Sequence, residues 1–126
     1  MDEKICLDTD FIINLINDKD RSEIFFSDYD SLEVYTTTIN IFELFLRATN
    51  LEEVYNLLNR IGIFDLNKDA AILASEIYKN LKSSGNLIEF RDIFIAAISI
   101  VNGCTLATLN KKHFSRIKGL KLLNFQ

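Results

Sequence analysis

The chain has 126 residues, of which 48% are hydrophobic and 25% charged, and a formal net charge of −4 at pH 7. These values are typical of a soluble protein with a single domain, residues 1–126, and they exclude a disordered chain or a membrane protein, because no apolar run approaches the ~18 residues of a spanning helix. The start Met-Asp-Glu-Lys lacks the basic and then apolar order of a secretion signal, so we expect a cytoplasmic protein.

Short β-branched segments alternate with segments of helical period along the chain. In chain order the pattern predicts a strand at 5–7, helices at 11–17 and 22–27, a strand at 32–37, helices at 39–48 and 51–59, a strand at 61–66, helices at 68–84 and 90–101, and strands at 105–108 and 120–125. No tight hairpin signal joins two strands, so the connections are crossovers and the sheet is parallel. We therefore predict an α/β fold, a three-layer α/β/α domain of about five strands.

Helix boundaries carry capping signals. Asn50 followed by Glu53 has the spacing of a capping box, which predicts a break and a new helix there. The segments Ser84-Gly85-Asn86 and Asn102-Gly103 are typical of helix ends in the left-handed conformation.

Three carboxylates lie in or beside apolar segments, where an unpartnered charge would be unfavourable. Asp8 directly follows the first strand, Glu43 lies within the apolar segment INIFELFLRA, and Asp92 lies in the first turn of the helix in RDIFIAAISIV. Helix capping could explain each acid alone. A side chain of Asp8-Thr9-Asp10 could cap the next helix, Asn40 to Glu43 fits a capping box, and Asp92 could interact with a helix N-terminus.

The topology offers a second explanation for these acids. Helices that follow parallel strands begin at the carboxyl ends of the strands, where ligands bind in open sheets. Asp8 and Glu43 would therefore converge, and Asp92 would join them if its helix begins at the same edge. Clustered carboxylates bind hard divalent cations, and such sites serve phosphodiester hydrolysis.

Three blocks of the sequence, ICLDTDFIINLI, TTTINIFELFLRA and RDIFIAAISIVNGCTLATLNKKHFSRIKGLKLLNF, resemble PIN domains, and most closely VapC-like toxins of toxin–antitoxin pairs. The resemblance covers essentially the whole chain. It implies a ribonuclease dependent on Mg²⁺ or Mn²⁺, with a parallel sheet in the order 3-2-1-4-5. By position, Asp8, Glu43 and Asp92 match the acidic metal-site residues of the family. Asp10 matches none of them, and we expect it to cap the helix or to lie at the rim of the site.

The segment TLNKKHF departs from the family pattern, because many members have a fourth acid after the fourth strand. Here Asn110 and His113 stand in that region, which argues against a tightly held second metal. Asn110 could still orient a carboxylate or a water molecule, and Thr108 could form a hydrogen bond within the site. We expect His113 to pack or to lie at the surface rather than to act in catalysis.

Charge is uneven along the chain, because all 18 acidic residues lie at or before Asp92 and residues 103–126 carry +5. Lys111, Lys112 and Arg116 could hold the RNA backbone beside the acidic site, although a basic solvated surface is equally consistent with the pattern. The net acidic character argues against sequence-specific DNA binding by this chain alone.

The resemblance also implies a small antitoxin that sends a side chain, often Arg, into the acidic pocket. It further implies a homodimer formed through the apolar helices after the first two strands.

Two other functions remain open at this stage. Asp8-Thr9-Asp10 after a strand also resembles the nucleophile motif of haloacid-dehalogenase-like phosphatases, but Phe11-Ile12 follows where that motif continues with Gly-Thr. A receiver-like or interaction domain that binds a cation only for stability is the non-enzymatic alternative.

Overall fold

The computed structural model of the chain describes residues 3–29 and 33–125. In this part of the chain the strands are β1 (Lys4–Leu7), β2 (Glu33–Thr37), β3 (Gly62–Phe64), β4 (Cys104–Ala107) and β5 (Lys121–Leu122). The helices are α1 (Thr9–Asn17), α2 (Lys19–Asp28), α3 (Thr38–Arg47), α4 (Leu51–Leu58), α5 (Lys68–Ser83), α6 (Phe90–Val101) and α7 (Lys111–Phe114). None of these described helices is long and apolar enough to cross a membrane.

The strands form one parallel sheet in the order β3-β2-β1-β4-β5. This result confirms the predicted three-layer α/β/α fold and the strand order that the resemblance implies. β1 is the central strand and pairs with β2 on one side and β4 on the other. The residues that follow β1, β2 and β4 therefore lie along the same edge of the sheet.

Helices cover both faces of the sheet. Successive residues of a strand point to opposite faces, so neighbouring residues of β1 pack into different clusters. Cys6 of β1 packs into an apolar cluster with residues of α5 and α6. Its neighbours Ile5 and Leu7 pack into a second cluster with residues of α1, α2, α3 and α4. The two clusters account for the apolar runs in the central strands.

The edge strands are shorter than predicted. The predicted segments 61–66 and 120–125 contain only the short strands β3 and β5, each of which pairs on one side. The predicted strand 32–37 begins at Leu32, which lies outside the described residues, and β2 is described from Glu33 onward. The predicted strand 105–108 is shifted by one residue relative to β4.

The first two helices begin earlier than the predicted segments 11–17 and 22–27. Asp8 and Asp18 occupy the N-cap positions, and the Asp18 carboxylate accepts a hydrogen bond from the backbone N–H of Arg21 at 3.1 Å. The predicted helices 39–48, 51–59 and 68–84 agree with α3, α4 and α5 to within one residue at each end, and 90–101 agrees with α6. The short helix α7 was not among the predicted elements.

Two of the predicted helix boundaries are confirmed in detail. The Asn50 side chain accepts a hydrogen bond from the backbone N–H of Glu53 at 3.3 Å. Gly85 has φ of 74°, and the N–H of Asn86 donates to the carbonyl of Leu81 at 2.8 Å. This left-handed residue closes α5 at the predicted position.

The alternative of a capping box at Asn40 and Glu43 is excluded by the helix boundary. Thr37 is the N-cap of α3, and its hydroxyl accepts a hydrogen bond from the backbone N–H of Asn40 at 3.1 Å. α3 begins at Thr38, so Glu43 lies in the second turn of the helix, beyond the free N–H groups that a cap would satisfy. Capping therefore does not explain the buried carboxylate of Glu43.

Candidate active site

Asp8 lies at the carboxyl end of the central strand and is 6% exposed. Its backbone N–H donates to the carbonyl of Ala107 at 2.9 Å, so the ladder between β1 and β4 continues up to this residue. One side-chain oxygen accepts a hydrogen bond from Asn40 Nδ2 at 3.1 Å, and the other accepts one from Thr108 Oγ1 at 2.7 Å. Although Asp8 is the N-cap residue of α1, its side chain makes no capping hydrogen bond. Its carboxylate is held instead by residues that follow β2 and β4.

Glu43 is 8% exposed on α3, and both of its carboxylate oxygens accept hydrogen bonds. Thr9 Oγ1 donates to Oε1 at 3.1 Å, and Arg91 Nη1 donates to Oε2 at 3.0 Å. The Asn40 amide donates to Thr9 Oγ1 at 3.0 Å as well as to Asp8. A continuous chain of hydrogen bonds thus connects the carboxylates of Asp8 and Glu43.

Asp92 lies in the first turn of α6, as predicted, and its side chain is partly exposed. Burial raises the pKa of Asp92 from 3.8 to about 6, and the charges of Asp8 and Glu43 add to this rise. Burial also raises the pKa of Asp8, against the hydrogen bonds from Thr108 and Asn40. The charges of Asp8 and Glu43 therefore act on Asp92, so three acids from different elements lie on the same side of the sheet and within electrostatic reach of one another.

The chemistry of these donors fits a hard divalent cation, because Mg²⁺ and Mn²⁺ prefer carboxylate oxygens and a cation would relieve the repulsion. Within residues 3–29 and 33–125, however, no three His, Cys, Asp or Glu side chains are gathered closely enough to hold a metal ion. Thr9 and Arg91 already take both oxygens of Glu43. The three acids are thus adjacent, with a guanidinium group already bound to one of them.

Asp10 lies in the first turn of α1, two residues after Asp8, and its charge contributes to the raised pKa of Asp8. Its carboxylate pairs with Arg47 Nη2 at 2.6 Å, and both side chains are about half exposed. This position agrees with the expectation of a rim residue. The two acids of the Asp8-Thr9-Asp10 segment therefore have different environments, one buried in the site and one paired at the surface.

The sequence left open whether the Asn110 side chain orients a carboxylate or a water molecule, and the structure places it against His113. Its Nδ2 atom lies 2.9 Å from Nδ1 of His113, which is exposed as predicted. The backbone N–H of Asn110 donates instead to Thr108 Oγ1 at 3.0 Å, and this hydroxyl donates to Asp8. Asn110 thus supports the site through its main chain, while Thr108 makes the expected hydrogen bond within it.

The predicted basic residues divide between two cavities. Lys111 and Lys112 line an open cavity of about 300 Å³ together with Thr108, whose hydroxyl contacts Asp8. Arg116 lines a different cavity, of about 380 Å³, against the C-terminal half of α5. Lys111 and Lys112, but not Arg116, therefore share a cavity with a residue of the acidic site.

Three residues of the site were missed by the sequence reasoning: Thr9, Asn40 and Arg91. Asn40 precedes Glu43 by three residues, a spacing that places both side chains on one face of a helix. Arg91 is a cation in the first turn of a helix, where a positive charge is unfavourable. The spacing could have drawn attention to Asn40, and the helix position to Arg91. Neither pattern identifies the residue that the side chain binds.

The similarities to known proteins agree with this geometry. Residues 5–120 match the family model of the PIN domain. The chain is 39% identical over 74 residues to Ribonuclease VapC1 of Methanocaldococcus jannaschii, a match that covers 56% of this chain and 54%, about half, of that relative. Its fold is similar to a crystal structure of VapBC2 from Rickettsia felis bound to a promoter DNA fragment (TM-score 0.87, 23% identity, 98% of this chain and 99% of that chain). It is equally similar to DNA-bound VapBC from Salmonella typhimurium (TM-score 0.87, 26% identity, 96% and 97% of the two chains). The match to the family model extends over nearly the whole chain, and the protein belongs to the PIN domain family.

Proposed function

We propose that this protein is a metal-dependent endoribonuclease that hydrolyses phosphodiester bonds in RNA, and that it is the toxin of a toxin–antitoxin pair. The observation that carries the proposal is the set of three neighbouring acids, in which burial and the charges of Asp8 and Glu43 raise the pKa of Asp92 to about 6. Such a cluster of perturbed acids is typical of a functional site. Membership of the PIN family and the similarity to Ribonuclease VapC1 support RNA as the substrate.

In this proposal Asp8, Glu43 and Asp92 hold Mg²⁺ or Mn²⁺. When bound, the cation supplies activation of water and stabilisation of the charge that develops on the phosphate. The remaining residues of the site keep the donors in place. Thr108 and Asn40 hold the two oxygens of Asp8, and the Thr9 hydroxyl holds one oxygen of Glu43. These hydrogen bonds fix the direction of the carboxylates, while Arg91 still occupies the second oxygen of Glu43.

We assign Lys111 and Lys112 to the RNA backbone, because they share a cavity with Thr108 and carry the charge that phosphates require. Asn110 is assigned a positioning role, since its N–H fixes the Thr108 hydroxyl. The separate position of Arg116 gives no support to an RNA contact at that residue.

We further propose a protein antitoxin as the partner, on the basis of the resemblance to VapC-like toxins and the similarity of fold to the VapBC structures. A homodimer through the apolar helices that follow β1 and β2, and a cytoplasmic location, remain predictions. The side chains of Phe42 and Leu46 on α3 are 61% and 67% exposed, which supports an apolar contact on this helix.

Cleavage of RNA in the presence and absence of a chelator tests the proposed function. Purified protein with Mn²⁺ is incubated with structured tRNA, ribosomal RNA and messenger RNA, and matched reactions contain EDTA. We expect cleavage of at least one RNA with Mn²⁺ and none with EDTA. The product ends provide the control, because attack by water leaves no 2′,3′-cyclic phosphate, whereas contaminating nucleases that use the 2′-hydroxyl leave that group. The proposal fails if all three RNAs stay intact.

The phosphatase alternative is not supported by the geometry. Its second Asp would be Asp10, whose carboxylate is half exposed and paired with Arg47 Nη2 at a distance of 2.6 Å. A phosphoryl group trapped on Asp8 would nevertheless favour that alternative over the ribonuclease. A protein that binds Mn²⁺ but cleaves no RNA would favour the interaction domain.

A further inference from the structure

Arg91 is an unusual residue for its position. It lies in the first turn of α6, immediately before Asp92, where the helix dipole makes a positive charge unfavourable. Its side chain is 45% exposed and forms two ion pairs. Nη1 lies 3.0 Å from Glu43 Oε2, and Nη2 lies 2.6 Å from Glu89 Oε2. These contacts, rather than the helix, hold the guanidinium group in place.

The two carboxylates that bind Arg91 differ in burial. The Glu43 side chain is 11% exposed and the Glu89 side chain 69% exposed. A carboxylate as buried as that of Glu43 is unfavourable without a compensating charge. Among the ion pairs of residues 3–29 and 33–125, the pair with Arg91 is the one that involves an acid of the site. Arg91 therefore supplies the positive charge that a metal ion would otherwise provide to Glu43.

A guanidinium group and a divalent cation at the same carboxylate oppose each other in two ways. Both use the lone pairs of Glu43 Oε2, and their positive charges repel across the pocket. Because Arg91 is about half exposed and keeps Glu89 as a second partner, it can leave Glu43 by rotation of its side chain. The backbone of α6, which carries Asp92, need not move.

We propose, building on the function proposed above, that Arg91 is a displaceable counter-ion that sets the affinity of the acidic site for its divalent cation. In the cation-free protein it neutralises Glu43, and it releases Oε2 when the cation binds. Arg91 acts through Glu43 and is thus a positioning residue. The coupling is reciprocal. The Arg91–Glu43 pair lowers the affinity for the cation by some factor, and the bound cation lowers the equilibrium constant for forming the pair by the same factor.

The test is a titration with Mn²⁺ alone, without RNA, followed by calorimetry or by the electron paramagnetic resonance of free Mn²⁺. We expect Arg91→Gln to bind Mn²⁺ about three- to tenfold more tightly than the wild type, the change expected for loss of one partly exposed ion pair. Arg91→Lys retains the charge but not the fork that binds Glu43 and Glu89 together, so its Mn²⁺ affinity should lie between those of Arg91→Gln and the wild type. The matched control is Arg47→Gln, which removes an equally exposed arginine that is bound to Asp10 and to none of the three acids. It should leave the affinity within about twofold.

A second measurement separates this role from a purely structural one. Without a cation, Arg91→Gln leaves the buried Glu43 charge uncompensated, so its melting temperature in EDTA should fall below that of the wild type. Excess Mn²⁺ should then raise the melting temperature of the variant by more than it raises that of the wild type. If the Arg91–Glu43 contact were merely structural, the variant would melt lower than the wild type by the same amount in EDTA and in excess Mn²⁺.

The outcomes distinguish this proposal from the ribonuclease proposal. Unchanged Mn²⁺ affinity in Arg91→Gln, or an equal gain in Arg47→Gln, overturns the role of Arg91 and leaves the ribonuclease standing. Tighter Mn²⁺ binding in Arg91→Gln without RNA cleavage by the wild type supports the role of Arg91 and overturns the ribonuclease. Absence of Mn²⁺ binding in every variant overturns both.

Discussion

Replacing Asp92 with Asn removes a carboxylate that the fold keeps partly buried beside two other acids. Burial, and then the charges of Asp8 and Glu43, raise its pKa from 3.8 to about 6. A rise of this size corresponds to about 3 kcal/mol, which solvent screening of the partly exposed side chain reduces to about 1–2 kcal/mol. Loss of the favourable interaction with the helix N-terminus subtracts about 0.3–1 kcal/mol. We therefore expect Asp92→Asn to raise the free energy of unfolding by about 1 kcal/mol at neutral pH in EDTA while it abolishes RNA cleavage.

Because the pKa of Asp92 is raised in the folded protein, the free energy of unfolding depends on pH. Folded Asp92 binds its proton more tightly than the unfolded chain does, so its unfavourable contribution is absent below pH 3.8 and complete above about pH 6. Urea denaturation in EDTA at about pH 4.5 and about pH 8 should show a fall in stability for the wild type that is smaller in Asp92→Asn. Asp69→Asn is the matched control, because Asp69 is an exposed acid in the first turn of α5. The reasoning is refuted if Asp92→Asn loses as much stability as Asp69→Asn, or keeps the pH dependence of the wild type.

Three further predictions concern the cation, the hydrogen-bond network and the sheet. Excess Mn²⁺ should raise the melting temperature more at about pH 8 than at about pH 5, because protonated carboxylates bind metal poorly; equal shifts would count against a carboxylate site. Asn40→Ala removes three side-chain hydrogen bonds from the buried network and should lower the free energy of unfolding by about 2–4 kcal/mol. Exposed Asn56 on α4 is its control, with an expected change within about 0.5 kcal/mol. Gly62→Ala should cost about 1–3 kcal/mol in urea denaturation, because its Cβ would lie 2.4 Å from the Tyr35 ring; an unchanged midpoint would contradict this packing.

The periodicity of hydrophobic residues was sufficient to predict the fold class, because buried strands and amphipathic helices have different patterns of apolar residues in the sequence. The order of the strands came from the family resemblance, since periodicity does not specify which strands are neighbours. The strands β3 and β5 were predicted too long. Each lies at an edge of the sheet and pairs with one strand only, and local sequence does not show which strands lie at the edges. The four residues of α7 are too few to show a helical period.

The positions of the acids were predictable for a topological reason. Asp8 follows a strand, and the carboxyl ends of parallel strands share one edge of the sheet. The partners of these acids were not predictable, because they depend on side-chain geometry between distant residues. Arg91 and Glu43 are 48 residues apart in the chain. The spacing of Asn40 and Glu43 fits a capping box as well as a buried network, but Thr37 caps the helix and the Asn40 amide binds Asp8.

In the proposed ribonuclease, Asp8, and not its neighbour Asp10, serves the hydrolysis of RNA. The most direct test compares the rate of RNA cleavage with Mn²⁺ for the wild type, Asp8→Asn and Asp10→Asn, after circular dichroism has verified folding of all three. We predict that Asp8→Asn lowers the rate by about 100-fold or more, as expected for loss of a metal ligand. Asp10→Asn, which breaks only the surface pair with Arg47, should stay within about threefold of the wild type. Equal rates for the two variants, or full activity of Asp8→Asn, would contradict the assignment of the site.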